Sequence, residues 1–319
     1  MVQQCGVKQM VLSLEQLQWL AGIIDSEGSI TLRNSFFHDN RKSGKMKASR
    51  NGRITIATCD NVIVPFISEL VGINYKILNR KTAAGNSIYS IIIGDKKTLK
   101  DLLPKIIPYM FTKQPHARIL LKSLFLPSGR FYTDEESIMH KELTNKIRIL
   151  NSRGYGIQDE LESRDHLFTY SWFAGVIDGD GCVSAGEWKI KSRNGIQRSV
   201  LKPYLKISLS HIKTVEYLSF VLQTGILKSG RELSCRTNRR KTRAIRLMPE
   251  KLMIWLPRVM PHLRLKRNQA ELALQLSKLK SDYKNHKIVL SDEYKSEVCR
   301  MYNAIKSLNR GKKNDQQVC

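Results

Sequence analysis

Twice along the chain two carboxylates stand one residue apart and are followed by glycine: Asp25-Ser26-Glu27-Gly28 and Asp178-Gly179-Asp180-Gly181. The first cluster closes an apolar run at helical spacing, Leu14, Leu17, Leu20, Ile23 and Ile24. Gly28 then suits a helix C-cap or a sharp exit turn. A helix C-terminus carries about half a negative charge and disfavours carboxylates. Acids gathered there call for a cation, and hard oxygen ligands suit magnesium. Two such ions stabilise both the attacking and the leaving oxygen of a phosphodiester displacement. The plainer alternative is a pair of surface capping acids.

The elements that must position these acids come in duplicate. Leu20-Ala21-Gly22-Ile23-Ile24 reappears as Phe173-Ala174-Gly175-Val176-Ile177, 173 against 20, an offset of 153 positions. The same offset carries Gly72 to Gly225, Leu103-Pro104 to Leu256-Pro257, Pro108 to Pro261, Lys113 to Lys266 and Ala117 to Ala270. One offset shared by landmarks over about a hundred residues indicates duplication, with loop-length changes that cancel. The units run from 11 to 127 and from 166 to 280.

Each unit reads as α-β-β-α-β-β-α, an α+β fold. In the first, the helix ending at Asp25 is followed by strands over 29–37 and 52–58. A helix over 61–71 follows Asp60 and ends at Gly72. Strands then lie on either side of Ala84-Gly85, over 75–81 and 87–93, before helices over 95–107 and 115–126. The second unit repeats this through 211–223, 226–236, 242–248, 249–259 and 267–280. Its clearest strand alternates Lys202, Tyr204, Lys206 and Ser208 with Leu201, Leu205, Ile207 and Leu209, a sheet with one buried and one basic face. Residues 128–165 read as a linker or insert with a helix over 134–150. Residues 281–319 read as one short helix, 291–307, and a disordered basic tail, 309–319.

With 319 residues and 41% hydrophobic content, the chain is long enough for two domains with cores of their own. Its 54 Lys and Arg against 28 Asp and Glu leave a net charge of +26. A surface that positive calls for a polyanion, and nucleic acid is the usual one. The six cysteines form no CxxC pair, which argues against a zinc finger. No secretory signal opens the chain, and no apolar run reaches membrane-spanning length, so a soluble protein of a reducing intracellular compartment is expected. Organelle and microbial cytoplasm both remain open.

The paired L-A-G-I-I-D-S-E-G and F-A-G-V-I-D-G-D-G segments, each followed by strands in a basic chain, resemble the LAGLIDADG homing endonuclease family in its two-motif, single-chain form. The resemblance implies two antiparallel sheets that form a DNA-binding saddle. It also implies motif helices packed at a pseudo-twofold axis through the small residues Ala21-Gly22 and Ala174-Gly175. That packing would offset the roughly 1 kcal/mol that glycine costs a helix. It implies that Glu27 and Asp180 are the catalytic, metal-binding acids, with Mg2+ as cofactor, while Asp25 and Asp178 hydrogen-bond near the helix ends. Glu27 departs from the commoner Asp but keeps an oxygen ligand. Lys113 and Lys266 match the family's basic residue near each scissile phosphate, in a Pro-x4-Lys context, where they polarise water or steady transition-state charge. A plain phosphate contact is the alternative for both. Thr58 and His211 fall on a further family position by the offset of 153, with little weight.

The expected partner is double-stranded DNA, bound by a monomer. Sheet residues expected to meet it are Arg33, Lys47, Arg50, Arg53, Arg80 and Lys81 in the first unit. In the second they are Lys189, Lys191, Arg193, Arg198, Lys202, Lys206, Arg236, Arg239, Arg240, Arg243 and Arg246. Strands in a major groove read base edges through alternate side chains. Other readings of the same fold are an intron RNA maturase, whose partner is RNA, and a DNA-binding regulator without catalysis. A pure binder has no need of both acids and both lysines. No reverse-transcriptase motif or protein-splicing block accompanies the repeat, so a free-standing or intron-encoded nuclease is preferred to an intein.

Overall fold

A computed structural model describes residues 12–38, 46–82, 85–126, 134–151, 167–191, 197–227, 243–286 and 291–314. The chain divides into two compact units, Met1–Leu167 and Phe168–Cys319.

The first unit opens with α1, Leu14–Glu27. Ser13 and Gln16 close a reciprocal capping box at its start. Leu17 to Asp25 are buried without a break, as suits a helix apolar on all sides. β1 (Gly28–His38) follows with no intervening loop and pairs antiparallel with β2 (Met46–Thr58). Helix α2, Ile63–Val71, ends at Gly72 in the left-handed conformation, φ 65°, where glycine carries no Cβ penalty. β3 (Lys76–Lys81) and β4 (Ser87–Ile93) complete a four-stranded sheet in the order β1-β2-β4-β3. Helices α3 (Lys96–Ile106), α4 (Gln114–Leu124) and α5 (Asp134–Asn151) follow, with a 3-10 turn at Ile107–Tyr109. Ile30, Leu32, Ile54, Ile56, Ile91 and Ile93 on one sheet face are buried, as are Leu99, Leu102, Leu103 and Leu120 of the helices.

The second unit repeats the plan. Helix α6 (Tyr170–Asp180), capped by Thr169, leads into β5 (Gly181–Lys191), β6 (Gln197–Leu209), α7 (Ile212–Val221), β7 (Ile226–Leu227) and β8 (Arg243–Leu247). The sheet order is β5-β6-β8-β7. Helices α8 (Pro249–Val259), α9 (Arg267–His286) and α10 (Asp292–Asn314) close it, with a 3-10 turn at Met260–His262. Most of the strand expected over 226–236 lies outside the described residues. Residues 309–314, expected as disordered tail, instead continue α10 as far as Asn314. The helix is held by its buried Val298, Met301 and Ile305 and by Asn309, whose side chain donates to the Val183 carbonyl at 2.9 Å.

That last bond has a counterpart. Asn151, at the end of α5, donates its side-chain amide to the Ile30 carbonyl at 3.0 Å. Ile30 and Val183 are the third residues of β1 and β5. Helix α5 packs on α4 and β1, as α10 packs on α9 and β5. The repeated element order is therefore α-β-β-α-β-β-α-α-α.

The ladders show that the offset is not uniform. Gly28 faces Ile56 and Gly181 faces Ile207, so β1 and β5 are related by 153 positions and β2 and β6 by 151. On this register His211 corresponds to Asp60, not to Thr58. Both cap the next helix: the Asp60 carboxylate accepts from the Val62 amide at 2.9 Å, and His211 Nδ1 accepts from the Thr214 amide at 3.2 Å.

Candidate active site and nucleic-acid interface

The last turn of α1 holds no basic residue of its own. Its carbonyls are met instead by Lys113, from the start of α4, whose Nζ donates to Ile24 O at 2.9 Å and Asp25 O at 3.2 Å. The exchange is reciprocal. The buried Asp25 carboxylate accepts from the backbone amides of Phe111 at 2.6 Å and Lys113 at 2.7 Å. Asp25 therefore sits at the unfavourable end of a helix dipole yet is compensated by two amide donors and a nearby ammonium.

The second unit builds the same clamp. Asp178 accepts from the amides of Arg264, Leu265 and Lys266 at 2.9, 3.3 and 3.1 Å. Lys266 Nζ donates to the carbonyls of Ile177, Asp178, Gly179 and Gly181 at 2.7, 2.8, 3.1 and 2.6 Å. The two lysines expected beside the reaction are thus fixed on the end of the motif helix, in contact with the backbone that carries the acids.

Beyond each clamp stands the second acid, Glu27 or Asp180, the last residue of its helix and half-buried. Gly28 and Gly181 then turn the chain directly into a strand. Both have extended backbone, φ −75°, so positive φ is not why glycine stands there. A Cβ on either would lie 2.6 Å from the carbonyl oxygen of Ile24 or Ile177. Glycine lets the first strand leave the helix without spacing the acid away from it. Among the described residues no group of three or more His, Cys, Asp or Glu gathers in one place.

Strand alternation sorts the basic residues expected to meet nucleic acid. In the first sheet Arg33 and Arg53 share the face opposite the isoleucine core, Arg53 directly across from Thr31. In the second, Lys202, Lys206 and Arg246 share the corresponding face. Lys81, Lys189 and Arg243 alternate onto the other face, and Arg243 is drawn to Glu216 of α7 at 3.5 Å. Lys47, Arg50, Arg80, Lys191 and Arg198 fall outside the residues whose side chains the structure describes, and Arg193, Arg236, Arg239 and Arg240 outside the described residues altogether. Burial first, and the charge of Lys202 second, push the Lys280 ammonium below its usual range.

Three polar-face residues were missed as candidates. Lys76 pairs with Ser90 and is exposed. Trp188 and Tyr204 meet edge-to-face at 5.7 Å. The alternation that marked Lys202 and Lys206 also marks Tyr204. Only the sheet register brings Trp188 beside it.

Neither a protein-family model nor a curated protein matches the chain. Solved structures do. I-LtrWI, a LAGLIDADG homing endonuclease bound to target DNA, matches with a TM-score of 0.59 and 15% identity, covering 91% of this chain and 98% of its own. I-SmaMI bound to uncleaved DNA target in the presence of calcium ions matches at 0.58 and 16%, covering 93% and 99%. I-SmaMI bound to cleaved DNA matches at 0.55 and 17%, covering 92% and 97%. No helix among the described residues is long and apolar enough to cross a membrane. With two four-stranded antiparallel sheets, each preceded by a motif helix, the chain has the fold of the LAGLIDADG homing endonucleases, in duplicated single-chain form.

Proposed function

We propose that this chain is a divalent-metal-dependent, sequence-specific double-strand DNA endonuclease, each unit supplying one acid and one lysine. The observation that carries the reading is the repeated clamp, which fixes a half-buried carboxylate, Glu27 or Asp180, at the junction of motif helix and sheet in both units. Structural neighbours of this fold bound to target and to cleaved DNA support it.

The donor set fits magnesium. That ion keeps several waters and is held by one or two carboxylates together with substrate phosphates. Half-buried acids in a basic chain offer such ligands, and the carbonyl-rich helix end adds negative potential. When bound, the ion polarises the phosphoryl oxygens and acidifies a coordinated water. Glu27 and Asp180 would be its protein ligands. Asp25 and Asp178 hold the helix ends so that those ligands keep their place. Lys113 and Lys266 put positive charge at the same ends, where charge grows on the phosphate in the transition state. Arg33, Arg53, Lys76, Lys202, Lys206 and Arg246 hold the duplex on the polar sheet faces.

The test is digestion of a randomised duplex library. Double-strand cuts at one family of sequences with magnesium, and binding without cutting in a chelator, are expected. Cutting that ignores the chelator, or binding that no divalent ion converts to cutting, would contradict the proposal.

A further inference from the structure

We propose that Arg246 selects a guanine close to the cleavage point in the half of the target served by the second unit. The inference rests on the endonuclease reading above and adds a base and a position to it.

The residue's place comes from the ladder. Cys182, Lys206 and Arg246 are successive cross-strand partners on β5, β6 and β8. Cys182 is two residues beyond Asp180, about 7 Å along the strand. On the endonuclease reading, this row therefore meets the base pairs nearest the scissile phosphate beside Asp180. Two cations directly opposite one another destabilise a sheet, so Lys206 and Arg246 together call for an electron-rich partner above the row.

The side chain is prepared for such a partner. Its guanidinium lies 5.2 Å from the Tyr204 ring centroid and 6.0 Å from that of Trp188. Its Nε is buried without a hydrogen-bond partner, and no acid pairs with it among the described residues. The rings find room because residue 186 is glycine. A Cβ there would lie 2.8 Å from Trp188 and 3.3 Å from Tyr204. Stacking on aromatic faces restricts the planar fork and removes part of the rotamer entropy lost on binding. A phosphate is met well by a flexible lysine. A restricted planar fork matches the paired acceptors O6 and N7 of guanine in the major groove.

The related row of the first sheet is different. There Ser29, Thr55 and Ile92 are the successive partners, and Ile92 is 43% exposed. An exposed isoleucine offers contact to a thymine methyl and nothing to guanine. The guanine requirement therefore belongs to one half-site and has no symmetric counterpart.

Selection of cleaved sites from a fully randomised duplex library, by the full-length protein and by Arg246→Lys, tests this. The wild type is expected to require guanine at one position beside the cut in one half-site only. Arg246→Lys keeps the charge and loses that preference by about 10- to 100-fold, leaving other positions as they were. Tyr204→Leu, which loosens the stack and keeps the arginine, weakens the preference at the same position. If Arg246→Lys slows cleavage equally on all sequences, the residue is a phosphate contact and the inference fails. It fails too if the selected sites are unchanged or if the wild type selects duplexes without such a guanine. A wild type that selects no duplex at all overturns the endonuclease reading as well.

Discussion

Asp25 and Lys113 are 88 residues apart, and Asp178 and Lys266 the same, yet each pair is tied through the backbone of one helix end. These four residues form the clamp at each helix end, and Glu27 and Asp180 stand further on, as the last residues of their helices. Glu27→Gln and Asp180→Asn are expected to bind duplex DNA nearly as the wild type does and to lower magnesium-dependent cleavage by at least about a hundredfold. Single-turnover rates beside gel-shift affinities check this, and wild-type rates in either variant would remove the residue from the site. The lysines have a second duty that the acids lack. Replacing Lys113 or Lys266 with methionine leaves helix carbonyls short of a donor, a cost of about 1–3 kcal/mol. Each variant should also slow one strand more than the other, and the two should nick opposite strands. Denaturant melts and end-labelled duplexes scored strand by strand measure both effects. Equal slowing of the two strands with weakened binding would make the lysines phosphate contacts.

At the scale of elements, α5 and α10 finish their units. Each follows the helix that carries the lysine at its start, lies against the first strand after the motif, and sends an asparagine to that strand's third residue. That strand begins at the glycine after the candidate catalytic acid, so these helices brace that acid from behind. Asn309→Ala is expected to destabilise the protein by about 0.5–1.5 kcal/mol, the net worth of one hydrogen bond. An unchanged midpoint in urea would show that the contact adds nothing. The glycines belong to this scale as well. Gly28 and Gly181 permit helix and strand to meet without a loop, which is why the acid can belong to both.

For the molecule as a whole, the net charge of +26 makes affinity a matter of salt. Each phosphate neutralised releases condensed counterion, so log affinity should fall linearly and steeply with log salt. A chain of this length folds to a radius of gyration of about 20 Å and should cover on the order of 15–20 base pairs as a monomer. The sheet faces differ in charge row by row, so the site should be only loosely palindromic. Footprinting across a salt series checks all three, and a flat salt dependence or a footprint formed only by dimers would count against them.

The four residues of the candidate site came from the likeness of the motifs to a known family, while spacing and residue type alone determined the duplication, the two motif helices and the basic alternating strands. These are local or periodic signals: helical spacing before Asp25, alternation along Lys202 to Ser208, and an offset shared by Lys113 and Lys266. What spacing leaves undecided is whatever depends on partners distant in sequence. Hydrogen-bond register shifted the offset from 153 to 151 on β2 and β6 and moved His211 from the position of Thr58 to that of Asp60. The same register turned Lys189 and Arg243 to the face opposite Lys206 and Arg246. Tertiary packing gave 309–314 a helix, because α10 gains a buried face only once β5 and α9 are in place. It also decided where Lys113 and Lys266 donate. A flexible side chain takes its geometry from the nearest unsatisfied carbonyls, and those are supplied by a helix almost ninety residues earlier in the chain.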